Sequence, residues 1–317
     1  MWIVRRLLLG LGLSLILSLL LFGLLGAMPG RSEEAVLDAE DPERVDRLRG
    51  RDLDSWTRYR CWWLGRQAEG CQPWPGEGLL RGDLGFSWVY RRPLTEILPG
   101  RLAASVGLCG PAIAAAAGVA LLLGAFAART GRTGTWIAWG LRVGSALPQH
   151  WLGLLVLWLG AVKLGAFPVA PGPEVGWLSR VGPPAGVLVV FLASRWARFV
   201  RDEAIRVAAE EHVFAARARG VPRARLWLVH ILPASAIPLV ALVAQSVPTV
   251  FSGAVVLETV FSYPGMGRLI YESILSDDAL TAVTVFVVYA FTTFAAGALA
   301  DGLVQWIDPR VRWGQGP

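Results

Sequence analysis

The chain has 317 residues, 54% of them hydrophobic, and a mean hydropathy of +0.50. That balance excludes an ordinary water-soluble domain and places the chain in a bilayer. The net charge of +6 is carried almost wholly by arginine, and its placement along the chain marks membrane sidedness rather than nucleic-acid binding.

Arg5 and Arg6 open the chain, and an unbroken apolar run follows over residues 7–27. A hydrocarbon core of roughly 30 Å takes about 20 helical residues. The run therefore predicts a retained first transmembrane helix, ended by Pro29 and Gly30, with a cleaved signal peptide as the alternative. Residues 31–101 are polar, charged and rich in Trp and Gly, which predicts an extramembrane insertion. Within it, residues 40–60 read as a solvated helix, and residues 71–84, with Pro73 and Pro75, as loop. Cys61 and Cys71 lie there. They fit a disulfide if the segment faces an oxidising compartment, or else two unpaired thiols. Cys109, in an apolar run, reads as a small buried hydrophobe.

The second span is predicted over residues 102–127. Its small residues Gly110, Ala114 and Gly118 recur every four positions, a stripe that lets another helix approach closely in lipid. After Arg129 and Arg132, residues 136–143 are placed at the interface. Residues 145–162 read as the third span and 163–182 as a Pro/Gly-rich connection. Residues 183–199 read as a shorter fourth span with Pro184 in its first turn.

Residues 201–219 then read as one charged helix, ended by Gly220 in left-handed geometry. Pro222 suits the first turn of a second helix over 223–231, and Pro233 stops it. The bland alternative is a solvated connecting loop. Residues 234–257 form the fifth predicted span. Residues 258–278 read as a polar connection in which Gly265-Met266-Gly267 is a turn. Residues 279–304 form the sixth span, before a short tail.

With Met1 inside, the inner segments hold Arg5, Arg6, Arg129, Arg132, the arginines from Arg195 to Arg225, Arg310 and Arg312, whereas the short outer loops hold only Lys163, Arg180 and Arg268. The positive-inside bias therefore predicts cytoplasmic termini and an extracytoplasmic insertion.

Several segments carry a family resemblance. A permease loop motif reads EAA, three residues, Gly, nine residues, I-x-L-P. Ala215, Ala216, Gly220, Leu232 and Pro233 stand at its matching places, while Phe214 replaces the glutamate and His230 the isoleucine. GDLGFS at 82–87, LPQHWL at 147–152, GAVVLETVFSYPGMGRL at 253–269 and DPRVR at 308–312 add further matches. Together these resemble the dipeptide, oligopeptide and nickel branch of the permease subunits of ATP-binding-cassette (ABC) importers. The resemblance spans nearly the whole chain and is weakest over residues 31–80.

The resemblance implies an all-α, multi-pass inner-membrane protein. It would comprise an N-terminus and first helix (1–30), an extracytoplasmic domain (31–101) and a permease core (102–317), the core holding the coupling loop (201–233). It would be a subunit of a heteromeric peptide or small-solute importer. The implied partners are a second permease, two cytoplasmic ATPases that bind ATP and Mg, and an extracytoplasmic solute-binding protein, with no nucleic acid. The ATPase-coupling residues would be Ala215, Ala216, Arg217, Arg219, Gly220, Arg223 and Arg225. The small residues permit close approach and the arginines supply orienting charge.

This chain itself shows no means of binding ATP or of catalysis. Lys163, its only lysine, is followed by Leu164, so a GxxxxGK[ST] phosphate loop is absent. His150, His212 and His230 lie far apart, neither HExxH nor GxSxG occurs, and no cofactor or metal is expected on this chain. Gln245, Ser246, Thr249 and Ser252 in the fifth span, with His150, are candidates to line a solute path, or else to bond neighbouring helices. Glu258 and Asp301 sit near the ends of spans, where a structural role is the stronger reading. A secondary transporter driven by an ion gradient is the competing class. The absence of midplane carboxylates and the bent arginine-rich loop both speak against it.

Overall fold

The computed structural model describes residues 2–27, 53–72, 76–87, 89–129, 131–172, 174–276 and 278–307. The readings that concern Pro29, Gly30, residues 31–52, Pro73, Pro75, Arg310, Arg312 and the rest of the tail lie outside the described residues.

The chain is built of helices: α1 (Trp2–Ala27), α2 (Ser55–Leu64), α3 (Leu94–Ala127), α4 (Arg132–Ala146), α5 (Gln149–Val156, widening into a π-helical segment Leu157–Lys163), α6 (Trp177–Ala208) and α7 (Glu211–Ala218). Then come α8 (Arg223–Arg225, widening over Leu226–Ile231), α9 (Leu232–Val260), α10 (Met266–Leu275) and α11 (Ala279–Ile307). A two-residue antiparallel ladder pairs β1 (Phe86–Ser87) with β2 (Arg92–Pro93). Among the described residues, four helices are long and apolar enough to cross a membrane: Leu94–Ala127, Trp177–Ala208, Arg223–Val260 and Ala279–Trp306, with mean hydropathies between 1.3 and 2.1. Helices α4 and α5 pass the same test together but are bent by 98°.

Several element boundaries differ from those read in the sequence. The stretch read as the third span is cut at Leu147 and Pro148, both extended (ψ 130 and 136), because proline cannot continue a helix and pushes the residue before it out of helical geometry. The helix of the fourth predicted span, α6, starts at Trp177, so Pro183 and Pro184 lie inside it rather than in its first turn. Residues 201–219 are two helices rather than one, parted at Ala209 and Glu210. Pro233 does not stop a helix: the π-helical segment at Leu226–Ile231 carries the chain straight into α9. The wider turn makes room for a residue with no N–H and a bulky ring.

The chain forms two compact units. The first joins Met1–Ser105 with Pro264–Ala295. In it, Asp54 caps α2 by accepting from the Trp56 and Thr57 amides at 3.2 and 3.1 Å, and the Thr57 hydrogen bonds hold its carboxyl below the usual range. Helix α2 is not solvated throughout. Cys61 and Trp62 are buried with Phe22, Cys71 and Val283. Cys61 and Cys71 form a disulfide, and the Trp62 indole donates to the Thr284 hydroxyl at 3.0 Å.

Also in this unit, Asp278 accepts from the Ser87 hydroxyl at 3.1 Å and the Thr281 hydroxyl at 2.8 Å. The stretch 258–278 is not a plain connection, and Met266-Gly267 is not a turn. It contains α10, with Met266, Leu269, Ile270 and Ser273 buried on one face. Its first amide, that of Met266, donates to Ser105 Oγ at 2.8 Å. Glu272 on α10 accepts from Arg268 at 2.6 Å and from the Tyr90 hydroxyl, which in turn accepts from Arg101 at 2.7 Å.

The second unit joins Val106–Tyr263 with Ala296–Pro317. Helix α6 is its central post: α4, α5 and α9 all pack on it. Gly124 of α3 lies so close to α6 that a Cβ there would meet Val200 Cβ at 2.6 Å and the Ala197 carbonyl oxygen at 2.7 Å. The stripe Gly110, Ala114 and Gly118 is exposed, whereas Leu108, Ala112, Ala116 and Ala120 are buried. Cys109 is a free, buried thiol.

Candidate functional site

The bent element from Ala204 to Ile231 is built around a small apolar core of Ala204, Val207, Val213, Ala216, Leu226 and Ile231, with Val221 and Trp227 packed against it. That core explains the break at Ala209 and Glu210. The run Ala-Ala-Glu-Glu-His contains no helix breaker, but folding α7 back lets Val213 and Ala216 meet Val207. Tertiary burial overrides local propensity here. The Ala209 and Glu210 amides donate back to Arg206 and Val207 at 3.1 and 3.0 Å, tightening the last turn of α6. Arg206 bridges Glu203 and Glu210 at 2.6 and 2.7 Å, so the ion pairs span the same break.

Helix α7 ends in a Schellman motif. Gly220, at φ +80, donates to the Arg217 carbonyl at 3.0 Å, and Val221 donates to the Ala216 carbonyl at 3.2 Å. Only glycine takes this φ without penalty. Pro222 then opens α8 as its N-cap, in extended geometry.

The sequence-read coupling residues fall on two faces. Ala216 is fully buried in the core, while Ala215, Arg217, Arg219, Gly220, Arg223 and Arg225 are exposed. Arg219 Nε donates to the Ala215 carbonyl at 3.3 Å. A Cβ at Gly220 would meet nothing in this chain within 4 Å. Phe214, noted in the sequence only as a departure from a motif, is 70% exposed on α7. A large aromatic on the outside of an otherwise arginine-rich surface has the composition of an interface anchor.

Of the candidate pathway residues, Gln245, Thr249 and Ser252 are exposed on one face of α9, at helical spacing. Ser246 is half-buried, and its hydroxyl donates to the Leu242 carbonyl at 2.7 Å. His150 is exposed on α5. Sequence reading passed over Gln149, whose amide donates to the Gly253 carbonyl at 3.2 Å and ties α5 to α9 beside that polar face. The LPQHWL motif contained the signal. Beyond α9, the Tyr263 amide donates to the Glu258 carbonyl at 2.8 Å. Burial, and after it the Glu258 carboxylate, raises the Tyr263 phenol pKa. Among the described residues, no cluster of three or more His, Cys, Asp or Glu is placed to hold a metal.

Residues 120–313 match the profile of the family described as "Binding-protein-dependent transport system inner membrane component". The chain belongs to this family. It is a multi-pass inner-membrane permease subunit. The permease is 28% identical, over 98% of both chains, to a Brucella abortus (strain 2308) protein provisionally named a peptide transport system permease protein. It is 25% identical to the oligopeptide transport system permease protein AppB of Bacillus subtilis (strain 168), over 98% of this chain and 99% of that one. It is 29% identical to the glutathione transport system permease protein GsiC of Pectobacterium atrosepticum, over 74% of this chain and 76% of that one. A crystal structure of an amino acid ABC transporter with histidines superposes at a TM-score of 0.53 with 14% identity, over 69% of the permease and 95% of that chain. That likeness concerns the fold.

Proposed function

We propose that the permease forms half of the translocation pathway of an ATP-driven importer for peptides or similar small solutes, and that α7 with the start of α8 is its docking surface for a cytoplasmic ATPase. The observation that carries this reading is the two-sided build of the element. Val213, Ala216, Leu226 and Ile231 anchor it to α6, while Phe214, Arg217, Arg219, Arg223 and Arg225 face outward. An ATPase that moves on binding and hydrolysing ATP would push on a rigid lever and swing α6 and α9, which the element joins. The peptide and glutathione names of the relatives support the substrate class.

The remaining parts of the assembly are a second permease, a second ATPase and an extracytoplasmic solute-binding protein. The exposed small-residue stripe on α3 and the polar face of α9 are surfaces for the second permease and the solute path. The chain crosses the membrane six times, with α5 as the third crossing. Both termini are cytoplasmic, and the disulfide lies on the opposite, oxidising side. ATP and Mg bind on the ATPases, not on the permease.

The test is affinity purification of the tagged permease from its native membrane. Recovery of a subunit with a phosphate-cradling loop, and loss of that subunit on replacing Phe214 and Arg217 together by Glu, is the expected result. A purified complex that contains no nucleotide-hydrolysing subunit would refute the reading.

A further inference from the structure

One cavity lies just ahead of the bent element, outside α7 and α8. It has a volume of about 470 Å³ and is lined by Ser145, Arg195, Arg198, Phe199 and Asp202, between the end of α4 and the middle of α6. Arg195 and Arg198 stand one helical turn apart on the same face of α6. Arg198 donates to Ser145 Oγ at 2.9 Å, and Arg195 lies over the Phe191 ring at 5.4 Å. Neither arginine has a carboxylate partner among the described residues. The carboxylate in the wall, Asp202, is already paired with Arg201 at 2.8 Å. The Ser145 hydroxyl in turn donates to the Arg142 carbonyl at 2.9 Å. The cavity therefore presents two guanidiniums that no carboxylate pairs, and one aromatic edge.

Its neighbour, α4, bears a second and independent signature. Trp136, Trp139 and Val143 are exposed at 70, 59 and 42% along one face, while Gly134, Ala138 and Leu141 are buried on the other. The helix leaves α5 at 98°, so when α5 crosses the bilayer α4 runs along its surface. Exposed tryptophans on a helix in that attitude sit at the level of lipid headgroups. Ser145, on the last turn of this helix, is part of the cavity wall.

We infer that this cavity is a binding site for an anionic phospholipid headgroup. The phosphodiester is held by Arg195 and Arg198, and Phe199 lies against the first carbons of the acyl chains. Basic cavities between helices at a membrane interface select such headgroups, and arginine matches phosphate oxygens in a bidentate manner. The lipid would fix the angle between α4 and α6, the helix that continues into the coupling element.

The experiment uses the full-length permease, purified in mild detergent, stripped of lipid and followed by native mass spectrometry. Short-chain phosphatidylglycerol is expected to bind roughly tenfold or more tightly than short-chain phosphatidylcholine, and this comparison needs no variant. In Arg195→Gln/Arg198→Gln the preference is expected to vanish, with phosphatidylglycerol binding falling to the level of phosphatidylcholine. Equal binding of the two lipids by the wild type, or a preference that survives in the double variant, overturns the proposal. Displacement of phosphatidylglycerol by millimolar inorganic phosphate would assign the site to a soluble anion and also overturn it. So would loss of a co-purified ATPase from the double variant with lipid preference intact, which would make the cavity a protein contact.

Discussion

The Val221 amide donates to the Ala216 carbonyl at 3.2 Å, and this bond closes α7 over the buried side chain of Ala216. Gly220 is the residue that lets the chain turn back between them, at φ +80. Gly220→Ala and Gly220→Leu each force an L-residue into left-handed geometry, at a cost of about 1–2 kcal/mol. A Cβ at this position meets nothing in this chain within 4 Å, so a loss in the leucine variant beyond that in the alanine variant points to a contact with a partner. Gly220→Leu is predicted to insert normally yet abolish uptake, with Gly220→Ala keeping a measurable part of it. Uptake assays in reconstituted vesicles decide, and normal uptake by the leucine variant counts against the docking surface.

The Trp62–Thr284 hydrogen bond ties the segment after α1 to α11. Trp62 is 2% exposed. Thr284→Val keeps the shape but strands a buried indole N–H, for a loss of about 1–3 kcal/mol. Trp62→Ala removes the ring from its cluster with Phe22 and Val283, for about 3–5 kcal/mol. Thermal unfolding of the purified variants should rank them in that order below the wild type.

Cys61→Ser/Cys71→Ser opens a loop of about ten residues. In the chain-entropy picture this costs on the order of 2–3 kcal/mol. The melting temperature should fall to the same extent when wild-type protein is unfolded in reductant. Alkylation after denaturation without reductant should label Cys109 alone, and labelling of Cys61 or Cys71 would show that the bond is absent.

At Gly124 a side chain collides with a backbone carbonyl of α6. Backbone cannot step aside as a flexible side chain does, so Gly124→Leu should destabilise the permease by at least about 1–3 kcal/mol. Gly118→Leu, at an exposed position with open space, should leave the isolated subunit's melting temperature unchanged. Comparing the two melting curves separates packing within the chain from packing against another subunit.

Much of this fold was legible in the sequence because the bilayer simplifies the code. Apolar runs announced the helices, and Gly220 with Pro222 announced the turn between α7 and α8. What escaped was set by tertiary contact. Nothing local separates Ala209 from Glu210; the pull of Val213 and Ala216 toward Val207 does. Pro233 looked like a stop, but the π-helical segment before it absorbs the ring. Helix α10 was missed although Met266, Leu269, Ile270 and Ser273 follow helical spacing, because the polar residues among them and the Pro-Gly before them read as a loop. The small-residue stripe on α3 was visible, but one strand of sequence cannot say which of two adjacent stripes faces inward. Here Ala112, Ala116 and Ala120 do, and Gly110, Ala114 and Gly118 do not.

A photoreactive amino acid placed at Phe214 in the intact, membrane-embedded complex probes the docking surface directly. Irradiation should join the permease to a cytoplasmic ATPase subunit, whereas the same probe at the exposed Trp136 on α4 should not. Adducts from position 214 that contain no ATPase, or labelling of that position by an impermeant reagent added outside the cell, would contradict a cytoplasmic motor-docking role for α7.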